Sequence, residues 1–291
     1  LIAGAGWSVA YLLPGWATGA AMRLPLPEGF WPQAGVVAAG IALLVGVSIN
    51  SALRAQPRGT RLIAAVALVM LVALFVGFPY LSHFDQGLMT LIQEHRSTAL
   101  DGTIVMVTRL GDFRTQFIAA SVLVALLALA RQWRPAMFAC STLLGTALAN
   151  AATKWFFARA RPEVLADPLT TYSMPSGHSS ASFAFFLTLA VLAGRGQPPR
   201  MRLTWLLLGC LPALSIALSR VYLGVHWPTD ILAGALLASC ICAVSLTLTQ
   251  YREPLTAMPL RVWWLILPAC IGVLAFSTLH ALPHALTRYS Y

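Results

Sequence analysis

Apolar residues run unbroken by charge over one long segment after another: Ala34 to Leu53, Leu62 to Leu81, Thr115 to Ala130, Pro135 to Thr153, Ser179 to Gly194, Leu203 to Ser219, Ile231 to Tyr251 and Val262 to Leu279. A bilayer core about 30 Å thick is crossed by roughly 17 to 25 apolar helical residues, so each run reads as a span. A further run, Leu1 to Met22, is interrupted by Gly4, Gly6, Pro14, Gly15 and Gly19, and its pattern fits a span or a re-entrant segment. Backbone amides in lipid must bond within their own segment, and the alternating ten-residue pattern of a barrel is absent, so the spans are helices. The expected fold is an all-α, polytopic membrane protein. From Phe84 to Arg114 the pattern changes: charges recur while Leu88, Leu91 and Ile92, then Leu100, Ile104 and Val107, repeat at helical spacing. This predicts helices lying in the membrane interface. An ordinary polar loop fits either half of the stretch nearly as well.

Composition agrees with the spans. The 291 residues are 58% hydrophobic and only 10% charged, with a mean hydropathy of +0.76, whereas a water-soluble domain carries about 25% charged residues. A soluble globular fold is excluded. Nineteen basic and nine acidic residues give a formal +10, and Lys154 is the one lysine in the chain. Arg54, Arg58 and Arg61; Arg131 and Arg134; Arg195, Arg200 and Arg202; and Arg252 and Arg261 fall in alternate connections, accompanied by a single acid, Glu253. The positive-inside rule makes these the cytoplasmic connections, so the net charge reflects topology and implies no nucleic-acid partner. Cys140, Cys210, Cys240, Cys242 and Cys270 all lie in apolar runs and read as small hydrophobes, with neither a disulfide framework nor a zinc site. The chain opens on Leu without a basic n-region or cleavage site, so nothing in it reads as a removable signal peptide, and it reads as part of something longer.

Three polar clusters fall on the opposite, extracytoplasmic face. In the first, Lys154 ends a span and Arg161 follows seven residues on, two turns away on the same side if the helix continues. Snorkelling to the headgroups is the commoner use of such residues. In the second, Pro175-Ser176-Gly177-His178 precedes an apolar helix, whose free backbone N–H groups form a natural phosphate cradle. Ser176 or Ser179 equally suits an N-cap, Gly177 permits close approach of a ligand, and His178 carries a ring that exchanges a proton near neutral pH. The third runs from Ser219 and Arg220 to His226 and Asp230, with a helix restarting near Pro228. If that turn is helical, Asp230 accepts from one ring nitrogen of His226 and leaves the other as nucleophile or base. Taken singly, Asp230 also suits a first-turn acid that complements the helix dipole. Together the clusters supply three cations, a helix start, two histidines and an orienting acid: the groups needed for phosphoryl transfer through a phosphohistidine.

Lys154, Arg161 and Pro162; Pro175, Ser176, Gly177 and His178; and Ser219, Arg220, His226 and Asp230 resemble, in order and spacing, the three-part signature of the type 2 phosphatidic acid phosphatase superfamily. The resemblance implies a six-helix core over residues 62–251, with extra membrane segments in 1–61 and an extra span and tail in 252–291. It also implies that His226 attacks phosphorus, Asp230 orients it, His178 protonates the leaving oxygen, and water hydrolyses the phosphohistidine. Lys154, Arg161, Arg220, Ser176 and the Gly177 amide would hold the phosphoryl oxygens. No metal or other cofactor is implied, because cations stand where a carboxylate set would hold magnesium; only Glu163, Asp167 and Asp230 lie at these clusters. The implied substrate is a lipid phosphate: undecaprenyl pyrophosphate first, then phosphatidylglycerophosphate or phosphatidic acid, then lipid A phosphates. Its site would lie on the periplasmic face of a bacterial inner membrane. Arg159, Glu163, His83, Glu94, His95 and Arg96 are candidates for headgroup selection, beside solvated or lipid-facing roles.

Trp7, Pro14, Gly15, Trp16 and Gly19 resemble the last membrane segment of the DedA family of lipid transporters, sometimes fused to such phosphatases. That implies an upstream DedA-type domain in the same chain. A lipid phosphotransferase would use the same residues with a different acceptor. A non-catalytic channel or transporter is a further alternative, weakened because the charges sit at span ends rather than mid-span.

Overall fold

The computed structural model describes residues 26–54, 57–164 and 170–280. The DedA-like stretch, the first interrupted run and Asp167 lie outside them. The described residues form ten α-helices and a short 3₁₀ turn: α1 (Phe30–Arg54), α2 (Pro57–Gly77), the turn (Phe78–Leu81), α3 (Ser82–Glu94), α4 (Thr98–Arg109), α5 (Phe113–Leu129), α6 (Trp133–Phe157), α7 (Gly177–Ala193), α8 (Pro199–Tyr222), α9 (Pro228–Thr249) and α10 (Leu260–His280). Each of the eight uninterrupted apolar runs is a helix at its expected place. Among the described residues, six helical stretches are long and apolar enough to span, while α5 qualifies only jointly with α4, across a 40° bend. Helix α7, at 17 residues the same length as α5, sits in the interior, with Phe185, Leu187 and Leu192 buried.

Helix α9 is the centre of the bundle. It packs on α2, α6 and α7, and residues around its whole circumference are buried, as expected of a helix apolar on every side. One glycine sets the closest of these contacts. A Cβ on Gly234 of α9 would lie 2.8 Å from the Ser176 carbonyl oxygen and 3.0 Å from the Ser180 amide nitrogen. Only the absent side chain lets α9 reach the start of α7, which joins the second and third polar clusters. The outer surface carries exposed Val69, Val76, Leu129, Phe156, Leu211, Trp264 and Phe276, a lipid-facing coat that a soluble protein would not tolerate.

The arginine-bearing connections meet at one end. Arg134 Nη2 donates to the Thr249 carbonyl at 2.8 Å, Arg195 Nη1 to Gln250 Oε1 at 2.8 Å, and Arg202 Nε to the Ala52 carbonyl at 2.8 Å. The polar clusters converge at the other end, as the alternation of connections predicts. The predicted interfacial stretch does form two helices, α3 and α4, and they pack on α8. Beyond lying at the surface, they deliver Asp85 and Thr108 to the polar clusters, and the bend between α4 and α5 delivers Asp112.

Candidate active site

The helical continuation from Lys154 to Arg161 does not occur. Helix α6 stops at Phe157, and Ala158 takes the left-handed conformation at φ 45°. Arg161 is brought beside Lys154 instead by the strap at residues 170–176 before α7: Lys154 Nζ donates to the Tyr172 carbonyl at 2.6 Å, and Arg161 Nε to the Thr171 carbonyl at 2.7 Å. Arg161 Nη1 also donates to the Val225 carbonyl at 2.7 Å and lies 3.1 Å from His226 Nε2.

His226 sits in the turn between α8 and α9, where Gly224 at φ +68° reverses the chain. Its Nδ1 lies 3.3 Å from Asp230 Oδ2, the expected four-residue pairing. Asp230 is held from several directions. Its Oδ2 accepts from the Trp227 amide at 2.9 Å and from the Ser173 hydroxyl, and its Oδ1 accepts from Arg159 Nη1 at 2.8 Å. With Nδ1–H given to Asp230, the lone pair of His226 is on Nε2, facing Arg161. His226 is 1% exposed. Burial, then the charges of Arg161, Arg220 and Lys154, pushes its pKa well below the ordinary imidazole value, so the ring is neutral at pH 7.

His178, in the first turn of α7, has a carboxylate of its own: Nε2 lies 2.9 Å from Asp112 Oδ1, while Arg109 Nε lies 3.1 Å from Asp112 Oδ2. Room for this pairing comes from Gly111, where a Cβ would lie 3.1 Å from the His178 ring and 2.4 Å from Ile216. Arg220, 2% exposed, donates to Thr108 Oγ1 at 2.9 Å and acts on both His226 and Asp112 through its charge. Ser176 is the N-cap of α7, accepting from the Ser179 amide at 3.4 Å, and its own amide donates to the Asp230 carbonyl at 3.0 Å. Gly177 is open on one side: a Cβ there would meet only Asn150 Oδ1, at 3.7 Å. The predicted residues are thus brought to one end of the bundle.

Several participants were not legible in the motifs. Ser173 bonds Asp230, and its amide donates to the Arg159 carbonyl at 2.8 Å. Asp85 of α3 accepts from Arg159 Nη2 at 2.7 Å, the Thr229 amide at 2.8 Å and the Thr229 hydroxyl at 2.6 Å. Arg159, a candidate for headgroup selection or for a solvated or lipid-facing place, has a side chain 14% exposed that bridges Asp85 and Asp230, stacked over Phe78 at 4.9 Å and Trp227 at 5.6 Å. Arg96 pairs with Asp101 at 3.1 Å, and His95 Nδ1 lies 2.8 Å from the Leu91 carbonyl, so both serve the α3–α4 corner. Asp85 and Asp112 stand 145 and 118 positions before Asp230, with only a helical pattern around them. No group of three or more His, Cys, Asp or Glu capable of holding a metal occurs among the described residues.

Fold and site together define a multi-span helical membrane protein with two histidine–carboxylate pairs beneath a group of fixed cations. Residues 135–254, which include all three clusters, match the PAP2 superfamily. It is similar to an undecaprenyl-diphosphatase of Sulfolobus acidocaldarius, 28% identical over 169 residues that cover 56% of this chain and 77% of that protein. It is 32% identical over 93 residues to phosphatidylglycerophosphatase B of Bacillus subtilis, covering 30% of this chain and 44% of the relative. In fold it resembles the crystal structure of a transmembrane PAP2-type phosphatidylglycerolphosphate phosphatase from Bacillus subtilis, with a TM-score of 0.56 at 20% identity over 65% of this chain and 97% of the other.

Proposed function

We propose that this protein is a metal-independent membrane lipid phosphatase that hydrolyses a terminal phosphomonoester or pyrophosphate through a phosphohistidine. The observation that carries the reading is the His226 imidazole, neutral and fixed by Asp230 on Nδ1, with Nε2 directed at the Arg161 guanidinium. A phosphoryl oxygen replacing that nitrogen as a partner of Arg161 would bring phosphorus to the Nε2 lone pair. The Nε2–P bond forms as the bond from phosphorus to the leaving oxygen breaks, and His178 gives that oxygen a proton. Water then attacks phosphorus, His178 takes its proton, and the Nε2–P bond breaks to release phosphate. Charge spread over the equatorial oxygens is met by Lys154, Arg161 and Arg220, with Ser176 and the Gly177 amide at the start of α7. Asp112 holds the His178 ring in place for both transfers.

The substrate class follows from position. A site at the bundle end reaches a phosphate in the headgroup plane while the chains stay in lipid. The names of the two curated relatives support undecaprenyl pyrophosphate and phosphatidylglycerophosphate ahead of phosphatidic acid and lipid A phosphates. The positive-inside reading of the arginine connections supports a periplasmic site in a bacterial inner membrane. The phosphatase unit is assigned to residues 62–251, with 1–61 and 252–291 as additions. The test is phosphate release from a panel of these lipids in detergent containing EDTA, with and without vanadate, whose trigonal-bipyramidal oxyanion mimics the phosphoryl transition state. Release that persists in EDTA and stops with vanadate is expected; release that requires added magnesium would refute the reading.

A further inference from the structure

At the end of the bundle remote from His226, helices α1, α2, α7, α8 and α9 leave a cavity of about 590 Å³ between them. This lies within the 300–1,000 Å³ usual for small-ligand sites. Arg61, Arg195 and Arg202 line it, and no carboxylate is among its described lining residues. Two of these arginines are fixed by neutral oxygens. Arg195 donates to Gln250 Oε1 at 2.8 Å and to the Val191 carbonyl at 3.3 Å; Arg202 donates to the Ala52 carbonyl at 2.8 Å and the Leu53 carbonyl at 3.3 Å. Arg134, at the same end, is by contrast paired with Glu253 at 3.4 Å. The cavity therefore holds preorganised positive charge without a counter-ion, and burial together with neighbouring Arg202 lowers the pKa of Arg195. Its remaining wall is apolar, with Leu187, Leu206 and Leu246.

Guanidinium groups suit phosphate oxygens, and basic pockets between spans suit anionic headgroups. The apolar wall suits an acyl chain. We propose that this cavity binds an anionic phospholipid of the leaflet on the arginine-rich side, its phosphate at Arg61, Arg195 and Arg202 and one acyl chain along Leu187, Leu206 and Leu246. The lipid would bridge α1 and α2 to α7, α8 and α9 at a site separate from the chemistry.

Dioleoyl phosphatidylglycerol is the probe, because its phosphodiester has no terminal phosphoryl group. Retention is read by native mass spectrometry of the detergent-purified full chain, and thermal stability is read with the lipid, phosphatidylcholine or inorganic phosphate added. The wild type should retain one phosphatidylglycerol molecule and gain Tm with it. Arg195→Gln should weaken binding roughly tenfold or more, as expected for one lost charge-assisted hydrogen bond. Arg61→Gln, which alters an exposed residue outside the Arg195 and Arg202 contacts, guards against misfolding and should weaken it in the same sense. Both variants should keep phosphate release within about twofold of wild type, whereas Arg161→Gln should keep the lipid and lose release. Wild-type retention in both cavity variants, or equal retention of phosphatidylcholine, would overturn the proposal. A Tm gain from inorganic phosphate alone equal to that from the lipid would overturn the lipid assignment.

Discussion

Arg159→Met removes the cation that lies between two buried carboxylates, Asp85 at 1% exposure and Asp230 at 0%. In the wild type, one guanidinium faces both acids at 2.7 and 2.8 Å. Without it, two like charges remain out of water with Thr229 between them. Breaking a buried ion pair by deleting one partner costs about 3–5 kcal/mol, and the slight exposure of Arg159 places the expected loss at the lower end. Asp85→Asn alone should be milder, about 1 kcal/mol, because the Arg159–Asp230 pair stays neutral and the Asn oxygen still accepts from the Thr229 amide. The same Asp85→Asn change in the Arg159→Met background should restore about 1–3 kcal/mol, since it removes one of the two orphaned charges. Phosphate release should follow. If Asp230 takes a proton to relieve the repulsion, it ceases to fix His226, and kcat should fall by about 10²-fold or more. Unfolding in detergent measures the first quantity and phosphate release the second. Effects additive within about 0.5 kcal/mol, or a double variant less stable than Arg159→Met, would show that the two acids do not share this cation.

His226→Ala should abolish turnover and the acid-labile phosphoenzyme while the protein still folds and inserts; a trapped phosphoenzyme in that variant would reassign the nucleophile. Neutral His226 favours the folded state fully above the ordinary imidazole pKa of about 6.5. That contribution declines as pH falls from there toward the lowered folded value, because the unfolded ring takes up a proton that the folded one refuses. Melting temperature should accordingly drop from pH 7 to pH 5, more steeply in the wild type than in His226→Ala, and equal slopes would contradict the burial argument. A cysteine at Thr170, exposed in the strap before α7, should react with a membrane-impermeant thiol reagent in intact cells, and one at Gln197 in the α7–α8 connection should not. The reverse pattern would invert the membrane orientation.

The helices were legible because a span is written in a single contiguous run, and each run from Ala34 to Leu279 became one helix, the Leu62–Leu81 run closing with the 3₁₀ turn at Phe78–Leu81. The reacting pair was legible for the same reason: His226 and Asp230 lie four residues apart at a helix start. The route from Lys154 to Arg161 was misread, since nothing in Phe157-Ala158-Arg159 marks the left-handed Ala158 that ends α6. Asp85, Asp112 and Ser173 were not legible as site residues. Their roles exist only once α3, the α4–α5 bend and the strap meet α7 and α9, and a polar residue in an amphipathic stretch looks like surface until its partner is placed. Arg159 misled for a related reason. A lone arginine beside a motif suggests solvent, and two buried acids from distant segments reversed that.

Asp230 receives hydrogen bonds or charge from the His226 turn, the strap carrying Ser173 and the segment carrying Arg159, which in turn is tied to α3 through Asp85. No single span, and no neighbouring pair of spans, contains the whole arrangement. In a membrane, helices insert as independent stable units and associate afterwards. The chemistry is therefore a property of the last stage of assembly: a chain whose helices are inserted but not yet docked carries every reacting group and has no competent nucleophile. Quality control that senses unpaired charge in the bilayer would act on that same immature form, so correct docking and enzymatic activity would appear together.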